Sequence, residues 1–377
     1  MSDAQPDPAK KETLSGHLYV YVAFDWGEEV DLERARRLAP AEVRALARRP
    51  RTPTSFAFKP PPLRFALNPQ SVILPPQGSI SPVSAAASLF EFGAVSVELV
   101  IPLHVSDDDL RVLAGGLSDP ATANSLVASA REMLTPLHQK LLPAIERPQW
   151  NAELSEEYFV FAFRPGRPLD ANELLSERAG WLAGLIRLES QTLSADEQRE
   201  ALRLSLRYGG TDLFVADWAA AALLDEPAVC VETLQTIEFA NLQLLEYRHI
   251  DDRLDVSLAR ANGLIQEAAR SRLSFIRKQD APLRVIGELK VEANGLFERT
   301  GNVLKLVGDP YLARVYRLLA TRFHLREWER SIQRKMDVIE SVYRVVSDQN
   351  ASNRSEFLEL VVIGLILLEV LLAIFRH

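Results

Sequence analysis

The chain has 377 residues, 47% hydrophobic and 25% charged, with a formal net charge of -8. That composition supports sizeable packed cores and excludes wholesale disorder. An acidic chain without a long Lys/Arg block lacks the basic face that replaces phosphate counterions, so direct nucleic-acid binding is not expected.

The first sixteen residues carry Pro, Asp and Lys without an apolar run, so residues 1–16 read as a disordered tail that is neither a secretory signal nor a transit peptide. Residues 17–170 read as an α/β domain. Leu18 to Asp25, LYVYVAFD, is β-branched and aromatic and predicts a strand. Asp31 is placed to cap a helix over Leu32 to Leu38, and a second helix is predicted over Ala41 to Arg49. The basic group Arg44, Arg48, Arg49 and Arg51 reads as a solvated helix face and turn. The Pro-rich stretch Pro50 to Pro62 confines its neighbours to edges or loops. Ser88 to Leu103 alternates around Gly93-Ala94 and predicts a hairpin. Asp107 to Asp109 are placed to cap a helix over Leu110 to Leu117, Ala121 to Leu142 predicts another helix, and Tyr158 to Phe163, YFVFAF, a further strand.

From Ala171 no more strands are predicted, and residues 171–348 read as a helical domain. Helices are expected over Ala171 to Leu193, Asp196 to Leu206 and Leu213 to Leu224, with a break at Tyr208-Gly209-Gly210. The longest runs from Glu232 to about Lys278, another from Pro282 to Val307, and the last from Tyr311 to about Asp348 after the turn Gly308-Asp309-Pro310. In the last, Leu325, Trp328, Ile332, Met336, Ile339, Tyr343 and Val346 recur every three or four residues, the seam of a helical hairpin or of self-association between copies. Residues 349–356 read as a hinge.

Phe357 to Phe375, FLELVVIGLILLEVLLAIF, reads as a transmembrane anchor over 357–375. Nineteen residues span about 28 Å, and fifteen of them are Phe, Leu, Ile or Val. Insertion would gain roughly 4 to 9 kcal/mol. Phe357 and Phe375 bound the run, Gly364 lies within it, and Glu359 and Glu369 oppose insertion, though neither is central: Glu359 is two residues from the polar side and Glu369 six from Phe375. Glu369 would snorkel or make an intramembrane helix contact. The reading is of a single-pass protein in contact with membrane lipid, its bulk cytoplasmic. The fold class expected is α+β: a small sheet domain with helices, an all-α hairpin region, and one C-terminal transmembrane helix.

Chemistry is sparse. No phosphate-binding glycine motif and no H-E-x-x-H is present. The lone cysteine, Cys230, lies between two valines and reads as a buried inert thiol. His249 with Asp251 and Asp252 is the nearest approach to a metal-ligand cluster, but positions i, i+2 and i+3 of a helix do not converge on one point. No catalytic residue, cofactor or metal is assigned.

The runs IEFANLQLLEYRHID (Ile237 to Asp251) and LKLVGDPYLARVYR (Leu304 to Arg317), followed by a helix into LE…LILLEV, resemble the required-for-meiotic-nuclear-division family, domain of unknown function 155, over residues 232–372. The resemblance implies an α/β region, helices, a C-terminal span, oligomers and no established enzymatic activity. Its mitochondrial members are implicated in supporting organellar translation at the inner membrane. It makes Glu246, Arg248, Asp251, Gly308, Asp309 and Trp328 family-motif positions and matches Glu369 to a glutamate of the family's anchor. The function expected is a non-enzymatic, membrane-anchored, homo-oligomeric scaffold or adaptor with a cytoplasmic protein partner. The alternatives are an ion-transport protein, or a nucleotide- or metal-dependent enzyme in the N-terminal domain.

Overall fold

Residues Val20 to Phe24 of the first strand are all fully buried, which requires cover on both faces of the sheet that contains them. The structure is a computed structural model and describes residues 13–44, 61–150, 154–166, 169–270 (260–270 as backbone), 291, 294, 295, 297, 310–341, 344 and 362–366. In chain order the strands are β1 (Thr13–Asp25), β2 (Glu29–Val30), β3 (Val43–Arg44), β4 (Leu63–Leu67), β5 (Val72–Leu74), β6 (Gly78–Ile80), β7 (Ser84–Leu89), β8 (Ala94–Ser106), β9 (Ile145–Glu146), β10 (Ser155–Phe163), β11 (Ser205–Leu206), β12 (Leu213–Ala216) and β13 (Ala220–Leu224). The helices are α1 (Leu32–Leu38), α2 (Asp107–Leu117), α3 (Pro120–Leu141), α4 (Ala171–Ser176), α5 (Ala179–Arg187), α6 (Ala195–Leu202), α7 (Pro227–Arg270) and α8 (Pro310–Arg322), and a further helix covers residues 325–341.

The chain divides into two units, Met1–Glu246 with Thr300–Arg326, and Tyr247–Arg299 with Glu327–His377. The first is built on a nine-stranded sheet of order β11-β12-β13-β10-β1-β8-β7-β4-β3. All its neighbours are antiparallel except β10 and β13, whose parallel pairing needs the crossover that α4, α5 and α6 supply. Register puts Leu18, Ile101 and Phe161 in one row and Val20, Leu99, Ala85 and Phe159 in the next. This face joins one large apolar core with Leu110, Leu113, Leu134 and Leu185 from α2, α3 and α5. On the other face Ala23 and Ala94 pack with Phe239, Leu242 and Leu245 of α7 and Tyr316 of α8. Helix–sheet–helix layering results, and it explains why β12 and β13 are apolar throughout rather than alternating.

The β7–β8 hairpin turns at Gly93, whose φ is +91°. The Gly93 carbonyl accepts from the Trp26 amide at 3.1 Å, and a Cβ on Gly93 would press into the Gly27 carbonyl oxygen. Glycine is the residue that meets both demands. Gly93→Ala is expected to destabilise by at least about 1–3 kcal/mol, read as a lowered thermal midpoint with the far-ultraviolet circular dichroism of the folded state unchanged.

In the second unit, α7 from Tyr247 onward lies beside the helix over 325–341. Lys335 Nζ reaches Asp251 Oδ1 at 2.7 Å and Asp255 Oδ1 at 2.6 Å, one turn apart on α7. Ile250 and Leu254 are buried on one helix, Ile332, Met336 and Ile339 on the other.

Several expectations are corrected. Strands do not stop at Ala171. Leu213 to Leu224, expected as a helix, is the β12–β13 hairpin, and the helix expected over Asp196 to Leu206 ends at Leu202 and gives way to β11. Leu213–Ala216 and Ala220–Leu224 are all buried and paired with neighbouring strands, and that tertiary packing overrides alanine's helix preference. The stretch Ala171 to Leu193 breaks into α4 and α5. Val43–Arg44 pair with β4 as a strand, so the helix expected over Ala41 to Arg49 is not formed there; residues 45–49 lie outside those described. The expected disordered tail ends earlier than drawn, because β1 already begins at Thr13. The helix expected over Tyr311 to Asp348 is interrupted after Arg322 by His324, which has a φ of +53°.

The C-terminal transmembrane helix is corrected as well. Among the described residues no helix is long and apolar enough to cross a membrane. Of Phe357 to Phe375 only residues 362–366, Gly364 included, are described, and they form helix with Val362, Ile363, Leu365 and Ile366 exposed. A span needs about 20 consecutive apolar helical residues, and no described helix provides them. Phe357, Glu359, Glu369 and Phe375 lie outside the described residues, as do the expected hinge 349–356, Tyr343 and Val346, Gly308 and Asp309, and most of the helix expected over Pro282 to Val307.

Candidate functional site

Chemically active side chains in the first unit gather in two places. At the turn between β12 and β13, every polar group of Asp217 is engaged. Its amide donates to Ala220 O at 2.9 Å, and its carbonyl accepts from Tyr158 Oη at 2.8 Å. Carboxylate Oδ2 accepts from Arg187 Nε at 2.8 Å and Oδ1 from the Trp218 amide at 2.8 Å. Arg322, at the end of α8, stands 3.8 Å from Oδ1. Its Nε donates to Ala216 O at 3.0 Å, and its Nη2 donates to Glu200 O and Ala201 O, both at 2.8 Å. One guanidinium thus ties α8, α6 and the β12–β13 turn together. Burial, reinforced by the Asp217 carboxylate, pushes the Tyr158 phenol well above its usual range, so it stays protonated and can donate. Above this clamp the Trp218 side chain is 67% exposed.

The second place lies between the sheet and α7. Arg64 on β4 pairs with Glu98 on β8, its Nη1 donates to Ser88 Oγ at 3.1 Å, and the same nitrogen stands 3.9 Å from Glu238 Oε2 on α7. Tyr21 on β1, fully buried, donates from Oη to Glu98 Oε2 at 3.0 Å. Burial, opposed by Arg64 and reinforced by Glu98, raises the Glu238 carboxyl above the ordinary carboxylate range. Although burial works against its charge, the Glu98 and Glu238 carboxylates raise the Arg64 guanidinium further. The arrangement can store a proton and hold two layers together.

The residues singled out from sequence do not form one site. Glu246 is buried and Arg248 half-buried on α7, while Asp251 serves the Lys335 clamp. Trp328 is half-buried, and Leu325 belongs to the first unit while Ile332, Met336 and Ile339 belong to the second. Ile332, Met336 and Ile339 are buried within the one chain. His249 is not grouped with Asp251 and Asp252 as a metal site, and among the described residues no group of three or more His, Cys, Asp or Glu is placed to hold an ion. Burial, then Arg253, lowers His249 to about 4. Cys230 is buried. Sequence reasoning passed over Glu98, Glu238, Asp217 and Arg322. The one visible signal was Glu98, a charge inside the apolar run of β8.

A family model described as "Uncharacterized protein MJ0711, N-terminal domain" matches residues 15–229. The chain is 26% identical over 231 residues to "Uncharacterized protein MJ0711" of Methanocaldococcus jannaschii, covering 60% of this chain and 68% of that protein. No solved structure matches. The expected membership of the required-for-meiotic-nuclear-division family is thereby overturned, since neither finding points to that family or to domain of unknown function 155. The runs that carry the resemblance read as amphipathic helices and a turn, a pattern that unrelated helical hairpins share, and they lie outside the residues 15–229 that the family model matches.

Proposed function

The chain belongs to the family of the MJ0711 N-terminal domain, and from that premise we propose that it is a non-enzymatic scaffold or adaptor that docks a partner protein. The observation that carries this reading is the display of Trp218. A tryptophan 67% exposed sits on a turn whose backbone is held from beneath by Asp217, Arg187, Tyr158 and Arg322. An exposed indole on a preorganised support has the character of a binding hot spot, because little ordering entropy is lost when a partner covers it. The two ionic clusters support the same reading, since their charged groups tie structural elements to one another.

Trp218→Ala is expected to leave folding stability within about 0.5 kcal/mol while removing partner contact. A photo-crosslinking amino acid at position 218 should yield protein adducts in cells well above those from the exposed position Val112. Equal yields at the two positions would count against the proposal. So would a reproducible thermal shift with a nucleotide or metal ion that is lost when residues of the first unit are changed, which would favour the enzyme reading.

A further inference from the structure

The interlayer cluster brings two carboxylates to one guanidinium. Strand register sets the row Arg64, Ser88, Ser96, Ala23 and Glu156 across five neighbouring strands. The adjoining row runs Ala66, Ala86, Glu98, Tyr21 and Tyr158. Over them lies α7, with Glu238 and, one turn on, Asn241, whose Nδ2 donates to Glu156 O at 3.1 Å. The residues at the centre are sealed: Tyr21 and Ser96 are 0% exposed, Asn241 1% and Glu238 3%.

The charges do not balance. Arg64 is committed to Glu98, which also receives the Tyr21 hydroxyl. Glu238 has only a distant share of Arg64, at 3.9 Å. Asn241 Oδ1 makes no hydrogen bond among the described residues, and the neutral hydroxyls of Ser88 and Ser96 are the side-chain hydrogen-bond donors to Glu238. An ionised Glu238 would therefore place a second negative charge beside one guanidinium, with only neutral hydroxyls as further donors, in a buried layer. A metal cation is disfavoured by the adjacent guanidinium. A proton neutralises the excess and gives Glu238 an O–H to donate.

We propose that Glu238 binds a single proton that keeps α7 seated on the sheet, and that releasing it as pH rises unseats α7, making the layer a pH-responsive latch. The groups facing Glu238 are Tyr21 of β1, Arg64 of β4 and Glu98 of β8, with the neutral hydroxyls of Ser88 of β7 and Ser96 of β8 hydrogen-bonded to it. The sign follows from linkage. A carboxyl raised in the folded state is more protonated there than in the opened state, so seating is strongest below the ordinary carboxylate pKa and is lost as pH rises through the raised one.

The test is hydrogen–deuterium exchange of the full chain, followed over residues 232–245 from about pH 5 to about pH 8, with Glu238→Gln alongside. Wild-type protection factors should fall with rising pH by up to about tenfold per pH unit within that range. The glutamine, an isostere of the protonated acid, should hold them level. Equal slopes in the two proteins would overturn the latch. Should Glu238→Gln not fold, infrared spectroscopy of the wild type decides. A protonated-carboxyl band that persists above about pH 5 and fades together with α7 protection supports the proposal, and a spectrum without such a band overturns it.

Discussion

Replacing Arg322 with methionine is expected to cost about 3–5 kcal/mol, because it removes one partner of a buried ionic cluster and leaves the other groups in place. Arg322 is only 9% exposed. Without its guanidinium, the carbonyls of Ala216, Glu200 and Ala201 each lose a donor, and an unsatisfied buried acceptor costs about 1–3 kcal/mol. Asp217 keeps Arg187, so its carboxylate is not left bare. Arg322→Lys should fall between the two, since an ammonium retains charge but cannot span three carbonyls in a planar fork. Urea denaturation should show a lower midpoint at an unchanged slope. A loss below about 1 kcal/mol for the methionine variant would mean that other contacts bind α8 to the hairpin.

Phe161→Ala should cost a similar amount, about 3–5 kcal/mol, by a different route. Phe161 is fully buried on β10, between Leu18 of β1 and Ala222 of β13. Its removal leaves a void at the centre of the sheet, next to the parallel pairing. The neighbour Ala222 is too small to fill it, so little relaxation is available to lessen the penalty. Phe161→Leu should lose much less, about 1–2 kcal/mol, because most of the volume stays. Equal losses for the two variants would point to the ring's edge contacts rather than its bulk. The same denaturation series measures both.

The strands and helices with strong local signals were legible in the sequence. β1 announced itself by β-branched and aromatic content, β8 by its alternation, and α1 by Asp31, whose carboxylate accepts the Arg34 amide at 2.9 Å. At α2 the cap is Ser106, one residue before the expected aspartates, which instead occupy the first turn, where the helix dipole favours them. The β12–β13 hairpin was not legible, because LFVADWAAAALL carries alanines that favour helix in isolation and its strand state depends on partners far away in sequence. The same holds for the two polar clusters. Glu238 and Arg322 each sit in a helix with many other charged residues, and nothing local distinguishes a charge aimed at a sheet from one aimed at water. Arg64 and Glu98 lie 34 positions apart and become neighbours only through β7.

The stretch that the family shares ends at Val229, just as α7 begins. It carries all nine strands of the main sheet and the helices over one face, but the residues that roof the other, Phe239, Leu242, Leu245 and Tyr316, come later in the chain. In this chain the matched portion therefore leaves one face of the sheet to be covered by residues that follow it. Here the lid is made by the chain's own long helix.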